Sequence, residues 1–290
     1  MSNQDPGAKV MLSRLLDFVN KNTTTPLRLK GWDKKICWTI NDDKYYWEVK
    51  DQKLVPTDCQ PVDLTLCCSL DTLSRIVQGS IPLFIAIWVT GDIQFEGSYS
   101  DVYKLGYLFL RDERKRKVVF LTHCFLNINT RFPQGCAFAG ANVPLITRLL
   151  KYDLGIVQMP CPEFLCLGLE KEHYGRIPAD QLRACFREIA SGVADQIKAY
   201  HEHGYRIAGI IGMNPSPSCG VEVSKGKGTI LGTNQDTAEI KEPGVFIEEL
   251  VAFLNAYGLA EIPLFGIRRL LPGEGGIDDR LKLLEEKLVL

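Results

Sequence analysis

At 290 residues the chain is near the size at which a single hydrophobic core stops growing, so two domains are expected. Its 34 Lys and Arg stand against 35 Asp and Glu, interspersed rather than in blocks, which excludes the basic footprint of a DNA or RNA binder. Met1-Ser2-Asn3-Gln4-Asp5-Pro6 has neither the basic start nor the apolar middle of a signal peptide, and the longest apolar stretch, Ile81 to Val89, is too short to cross a bilayer. A cytoplasmic protein without membrane insertion is therefore expected, in which the 10 cysteines serve as thiols, metal ligands or catalysts rather than as a disulfide framework.

Residues 9 to 110 read as α+β. An amphipathic helix opens the half with Val10, Leu12, Leu15, Leu16, Phe18 and Val19. Strand-like runs follow at Ile36-Cys37-Trp38-Thr39-Ile40, Tyr45-Tyr46-Trp47-Glu48-Val49 and Leu64-Thr65-Leu66-Cys67-Cys68, with an Asn41-Asp42-Asp43 turn signal between the first two. The pattern predicts a curved antiparallel sheet. Ser69 or Asp71 can cap a short helix that Gly79 ends, and Asp92 to Gly97 reads as a further strand. The order of elements from Asp63-Leu64-Thr65 through Gly79 and Gly91-Asp92-Ile93-Gln94-Phe95-Glu96-Gly97 to a terminal helix near 101–108 resembles a sterol carrier protein type two domain, here residues 1–110. The resemblance implies an apolar tunnel that takes a hydrophobic small molecule or presents a substrate. Read alone, Trp38, Trp47 and Trp88 are ordinary core residues.

Arg111-Asp112-Glu113-Arg114-Lys115-Arg116-Lys117 is the natural boundary, a solvated linker. From 118 to 290 strands and helices alternate. Strands are predicted at 118–122, 154–159, 205–211 and 262–267, and helices near 138–151, 179–203, 243–257 and 277–288. This is the pattern of a Rossmann-like α/β domain with a mostly parallel sheet. It lacks a G-x-G-x-x-G fingerprint between its first strand and helix, a Walker motif, a nucleophile elbow and a zincin histidine pair.

Three cysteines follow three of these strands: Cys124 after Val118-Val119-Phe120-Leu121, Cys161 after Ile156-Val157-Gln158-Met159, and Cys219 after Ile207-Ala208-Gly209-Ile210-Ile211. Ligands of open parallel sheets bind outside the carboxyl ends of the strands, so three thiolates delivered there form a candidate metal or cluster site with one open position. Prolines at 160, 162, 215 and 217, with Gly220, give the last two loops a fixed shape. Cys37, Cys59, Cys67, Cys68 and Cys185 read as packing residues, while Cys136 and Cys166 lie close enough to the loops to be rival ligands.

Cys124-Phe125-Leu126-Asn127, Cys161-Pro162-Glu163, Ser216-Pro217-Ser218-Cys219-Gly220 and Pro243-Gly244-Val245-Phe246 occur in the order seen in the thiouracil desulfurase family, which residues 117 to 267 resemble. Two departures stand out. Arg131-Phe132-Pro133-Gln134-Gly135 replaces the family's Arg-Tyr-Asp-Gly-like turn, and the stretch from Glu222 to Glu242 does not follow its pattern. The resemblance implies a four-iron, four-sulfur (4Fe-4S) cluster on Cys124, Cys161 and Cys219, and a non-redox desulfidase that removes sulfur from a thiocarbonyl small molecule. On that scheme Glu163 is the candidate acid/base, and Ser218 and Ser216 orient the substrate. His123 reads as structural.

Three other readings stand beside this one. One is a hydrolase with Cys161 or Cys219 activated by His123 or His173; another is a Cys-ligated zinc enzyme; the third is a carrier of a hydrophobic ligand without catalysis. The identity of the substrate and the oligomeric state are not legible in the sequence.

Overall fold

A computed structural model describes residues 5–58, 60–110, 116–131, 139–233, 238–268 and 286. Cys59, Cys136, most of the charged linker and, save residue 286, the expected closing helix lie outside them. The chain divides into two units, Met1–Glu113 with Glu202–Gly204, and Arg114–His201 with Tyr205–Leu290.

The first unit opens with α1 (Pro6–Lys21), started by the Asp5 carboxylate, which accepts from the Gly7 N–H at 2.7 Å. Its apolar stripe of Ala8, Leu12, Leu15, Leu16 and Val19 is buried. After α2 (Thr25–Leu29) come β1 (Lys35–Ile40), β2 (Asp43–Lys50) and β3 (Lys53–Thr57). Two-residue turns join them, with positive φ at Asn41 and Asp42 and again at Asp51 and Gln52, as tight hairpins require. The unit continues through β4 (Leu64–Cys68), α3 (Leu70–Gln78), α4 (Leu83–Trp88), β5 (Ile93–Gly97) and α5 (Tyr99–Leu108). Ser69 caps α3, and Gly79, at φ 76°, ends it.

The strand order is β3-β2-β1-β4-β5, and the sheet is mixed rather than antiparallel because β1 and β4 run parallel. The three-strand meander leaves one edge of β1 free. The chain crosses back from β3 to that edge, so β4 runs in the direction of β1. Trp38, Trp47 and Phe109 pack together in the core, with Trp38 and Trp47 ring centroids 5.7 Å apart. A cleft of about 280 Å³ lies between α1 and the β2–β3 hairpin, lined by Leu12, Leu16, Tyr45 and Trp47 but also by Lys9, Lys44 and Asp58. This cleft is partly open and of mixed lining.

In the second unit β6 (Lys117–Thr122) leads through α6 (His123–Leu126), a 3-10 turn at Ile128–Thr130 and α7 (Val143–Leu150) to β7 (Gly155–Met159). Then follow α8 (Pro162–Leu167), α9 (Ala179–Glu202), β8 (Arg206–Asn214), β9 (Ser224–Lys225), α10 (Lys227–Ile230), β10 (Glu239–Ile240), α11 (Val245–Ala256) and β11 (Leu264–Arg268). The strands order as β11-β8-β6-β7, all pairings parallel, and β9 and β10 form a small antiparallel pair.

Both faces of this sheet are covered. Val118, Phe120 and Ile210 pack with residues of α9 and α11, while Val119, Leu121 and Ile211 pack with Leu145 and Leu149 of α7. Such double burial explains the continuous apolar runs in β6 and β8. After β7 the chain returns to the opposite side of β6. The order therefore reverses between β6 and β8, and the carboxyl ends of those strands form the crevice where parallel sheets bind ligands. No helix among the described residues is long and apolar enough to cross a membrane.

Candidate active site at the carboxyl edge of the parallel sheet

Cys124, Cys161 and Cys219 leave the carboxyl ends of β6, β7 and β8, which are neighbours in the sheet. Cys124 lies in the first turn of α6, directly after β6. Its Sγ is 3.5 Å from Met213 Sδ near the end of β8, and the Arg131 guanidinium hydrogen-bonds the thiol. Cys161 caps α8, its sulfur accepting from the Phe164 N–H at 3.4 Å and engaging the Thr130 hydroxyl. Thr130 belongs to the loop that follows Cys124, so the first two strand ends are knitted together at the thiols.

Cys219 sits in a turn built by its own prolines and serines. The Ser216 hydroxyl accepts from the N–H groups of Ser218 and Cys219 at 3.3 and 3.1 Å, which fixes the turn. The loop carbonyls are also used: Pro217 O accepts from Val245 N and Ser218 O from Phe246 N, capping α11. Gly244 is required there, since a Cβ on it would stand 2.5 Å from the Ser218 carbonyl carbon. This explains why the Ser-Pro-Ser-Cys-Gly and Pro-Gly-Val-Phe motifs occur together. Val221 N donates to Asn214 Oδ1, and Glu222, which accepts from the Asn214 side-chain amide, also accepts from Gly266 N, tying the loop to β11.

The three thiols share one electrostatic neighbourhood. Burial pushes Cys124 up to about 11, opposed by Arg131 and helped by the nearby Cys161 and Glu163. Burial, with Cys124 and Cys161, also holds Cys219 well above the ordinary thiol value. Cys161 is raised too, by burial first, with the Phe164 N–H and Lys171 opposing. Three adjacent thiols in such a pocket stay protonated unless a cation takes their charge.

Glu163, two residues after Cys161, reaches the third loop. Its Oε1 accepts from Ser218 Oγ at 2.6 Å and its Oε2 lies 2.9 Å from Lys171 Nζ. Ser218 Oγ is itself 3.6 Å from Cys219 Sγ and 3.1 Å from Ser216 Oγ. The Lys171 side chain is only 4% exposed and that of Glu163 17%, which makes this a buried ion pair, and Lys171 adopts a left-handed φ of 62°. Burial and the charge of Glu163 push the nearby Tyr174 phenol up. Lys171 and Arg131 are the two site residues that the sequence reading did not assign a role.

Cys166 is excluded as a rival ligand because its sulfur is bonded to Cys185, a disulfide the sequence reading did not foresee. His123 pairs through Nδ1 with the Gln158 side-chain amide, its Nε2 is buried without a hydrogen-bond partner among the described residues, and burial draws its pKa down. No hydrogen bond joins it to any of the three thiols.

The donor set, three soft thiols in mutual electrostatic contact, fits a sulfur-seeking cationic group. Among the described residues no group of three His, Cys, Asp or Glu side chains is arranged to hold a single ion.

Fold and site define a three-layer parallel α/β unit with a buried thiol pocket at its switch point, joined in one chain to a mixed-sheet α+β unit. No family model matches the chain, so the resemblance to the thiouracil desulfurases rests on the motifs alone. Over 118 residues the chain is 25% identical to an uncharacterized protein of Methanocaldococcus jannaschii, covering 40% of this chain and 74% of that protein. In structure it is similar to sterol carrier protein 2 of Yarrowia lipolytica, at 15% identity, covering 38% of this chain and 95% of that one, with a TM-score of 0.29. Palmitated SCP2L2 from Aedes aegypti is similar at 15% identity, 36% and 94% coverage and a TM-score of 0.29. A sec-alkylsulfatase from Pseudomonas sp. matches at 22% identity, with 29% of this chain and 13% of that chain covered and a TM-score of 0.25. Scores of this size add nothing to what the strand order already says.

Proposed function

We propose that the second unit, a Rossmann-like fold, is a desulfidase that replaces the sulfur of a thiocarbonyl small molecule with oxygen from water, releasing sulfide. One observation carries the reading: the three cysteines leave the ends of neighbouring strands, and the hydroxyl beside Cys219 Sγ, that of Ser218, donates to a Glu163 carboxylate that Lys171 also holds. The order of the surrounding motifs supports it. Cys124, Cys161 and Cys219 would hold a 4Fe-4S cluster. When bound, such a group supplies a soft, open iron that attracts sulfur and makes the carbon attached to it electrophilic.

The chain's own residues do the rest. Glu163 takes a proton from the attacking water, because its carboxylate is held in one orientation by Ser218 and Lys171. Ser218 faces both that carboxylate and Cys219 and orients the adduct. Ser216 acts by holding the turn on which Ser218 and Cys219 sit. In the balance a C–O bond forms, the C–S bond breaks and the water protons leave with sulfide, so no electron is consumed. The alternative of a cysteine nucleophile is disfavoured here, since burial raises all three thiols and no hydrogen bond joins His123 to any of them.

The test is sulfide release by the full chain, reconstituted anaerobically with iron and sulfide, from thioacetamide without added reductant. Glu163→Gln is expected to keep its iron while turnover falls by about 10²–10⁴, the usual contribution of a general acid/base. An obligatory electron donor, or a Glu163→Gln variant with intact iron and unaltered turnover, contradicts the reading.

A further inference from the structure

Among the described residues Lys171 and Arg131 are cations at the pocket, and they are not equivalent. Lys171 is committed, its ammonium lying 2.9 Å from the Glu163 carboxylate. Elsewhere in the unit Arg183, Arg187 and Arg268 also face carboxylates, on Glu248, Glu249 and Glu239. Arg131 does not. Its partners among the described residues are two sulfurs, Met213 Sδ at 2.7 Å from Nη1 and the Cys124 thiol.

A guanidinium carries five N–H donors in a planar fork, and thioethers and thiols are weak acceptors. The Arg131 fork is thus half-buried, charged and poorly satisfied, beside the thiol that closes the first strand end. Charged groups in such a position call for an anion or a strong oxygen acceptor. Planar two-oxygen groups match the fork best, because both N–H···O bonds form in parallel. Since the thiocarbonyl sulfur has to reach the thiol pocket, the group that meets Arg131 lies only a few bonds from it.

We propose that Arg131 is the specificity-determining residue of this site and recognises a carboxylate adjacent to the thiocarbonyl carbon of the substrate. The substrate class is then an anionic thioamide or thiourea-type compound rather than a neutral one. This inference rests on the desulfidase reading for the reaction but not for the anion site. A guanidinium serving only as counter-charge to the three thiols would give a different pattern of results.

The experiment uses the iron-loaded full chain under anaerobic conditions, with thiooxamate as the carboxylate probe, thioacetamide as the neutral one and oxamate as a non-reacting ligand followed by calorimetry. Arg131→Gln is expected to keep its iron, to lose oxamate binding, and to lower the kcat/KM preference for thiooxamate over thioacetamide by about 10- to 100-fold, as for a lost charge-assisted contact. Arg131→Lys, which keeps charge but not the fork, recovers part of the preference. Loss of iron from Arg131→Gln, or equal losses on both probes, would overturn the proposal in favour of a role toward the thiols. If the wild-type chain releases sulfide from neither probe, the desulfidase reading fails. The oxamate titration then decides the anion site by itself: heat in the wild type that Arg131→Gln abolishes supports it, and no heat in the wild type overturns it.

Discussion

At the scale of single residues, the site depends on a buried charge balance more than on any one side chain. Glu163 is held by Lys171 and Ser218, and removing one member of a buried ion pair leaves an uncompensated charge at a cost of about 3–5 kcal/mol. Lys171→Met is therefore expected to lower the unfolding free energy of the iron-free chain by about 3 kcal/mol, discounted toward the low end because Glu163 keeps some exposure. The double variant Lys171→Met with Glu163→Gln should be more stable than Lys171→Met alone, since neither charge then remains. Urea unfolding of the four forms gives the coupling directly, and additive losses would show that the pair is not coupled. The thiols were legible in the sequence because each follows a short, mostly apolar run that reads as a strand bounded by turn residues. Lys171 was not, because a lysine among Glu170, Glu172 and His173 looks like any solvated turn. Its burial depends on a carboxylate eight residues earlier, which spacing alone does not reveal. Arg131 was quoted for its motif, but its sulfur partner Met213 lies on another strand.

At the scale of elements, legibility followed the physical origin of each signal. The central strands β6 and β8 were visible because burial on both faces writes a continuous apolar run into the sequence, and the helices α9 and α11 because burial along one stripe does so periodically. The strand β3 was missed: it is an edge strand that carries Pro56, where an edge tolerates a missing N–H. The parallel β1–β4 pairing was missed because turn signals report only the hairpins they close. The disulfide between α8 and α9 was missed because no spacing distinguishes Cys166 and Cys185 from packing residues. The start of α11 offers a pH test. Burial alone would raise the Glu248 carboxyl, but Lys227 at 2.9 Å and Arg183 at 3.3 Å hold it below its ordinary value of 4.5. A depressed carboxylate stabilises the fold above its unfolded pKa, and that stabilisation is lost as pH falls through the folded one. The stability gap between wild type and Glu248→Gln should thus be constant above about pH 5 and close as the solution is acidified below 4.5. Denaturant unfolding across that range checks it; a gap independent of pH would mean that the ion pairs contribute nothing.

At the scale of the molecule, the chain joins a mixed-sheet unit to a parallel one, and the proposed chemistry lies in the second. That placement follows from topology: the strand order reverses between β6 and β8, and the crevice so formed receives the loops of Cys124 and Cys219, with Cys161 arriving from the next strand. The first unit offers a partly open cleft with lysines and an aspartate among its lining residues, beside Leu12, Leu16, Tyr45 and Trp47. The central claim is that the three loop cysteines hold an iron–sulfur group, and its most direct measurement is iron and acid-labile sulfide per chain, with the visible spectrum, after anaerobic purification and reconstitution. A brown protein with about four iron and four sulfide per chain is expected. Cys124→Ala, Cys161→Ala and Cys219→Ala should each abolish the loading while Cys67→Ala leaves it intact. A colourless, iron-free wild-type chain under those conditions, or iron retained when all three loop cysteines are replaced, would contradict it.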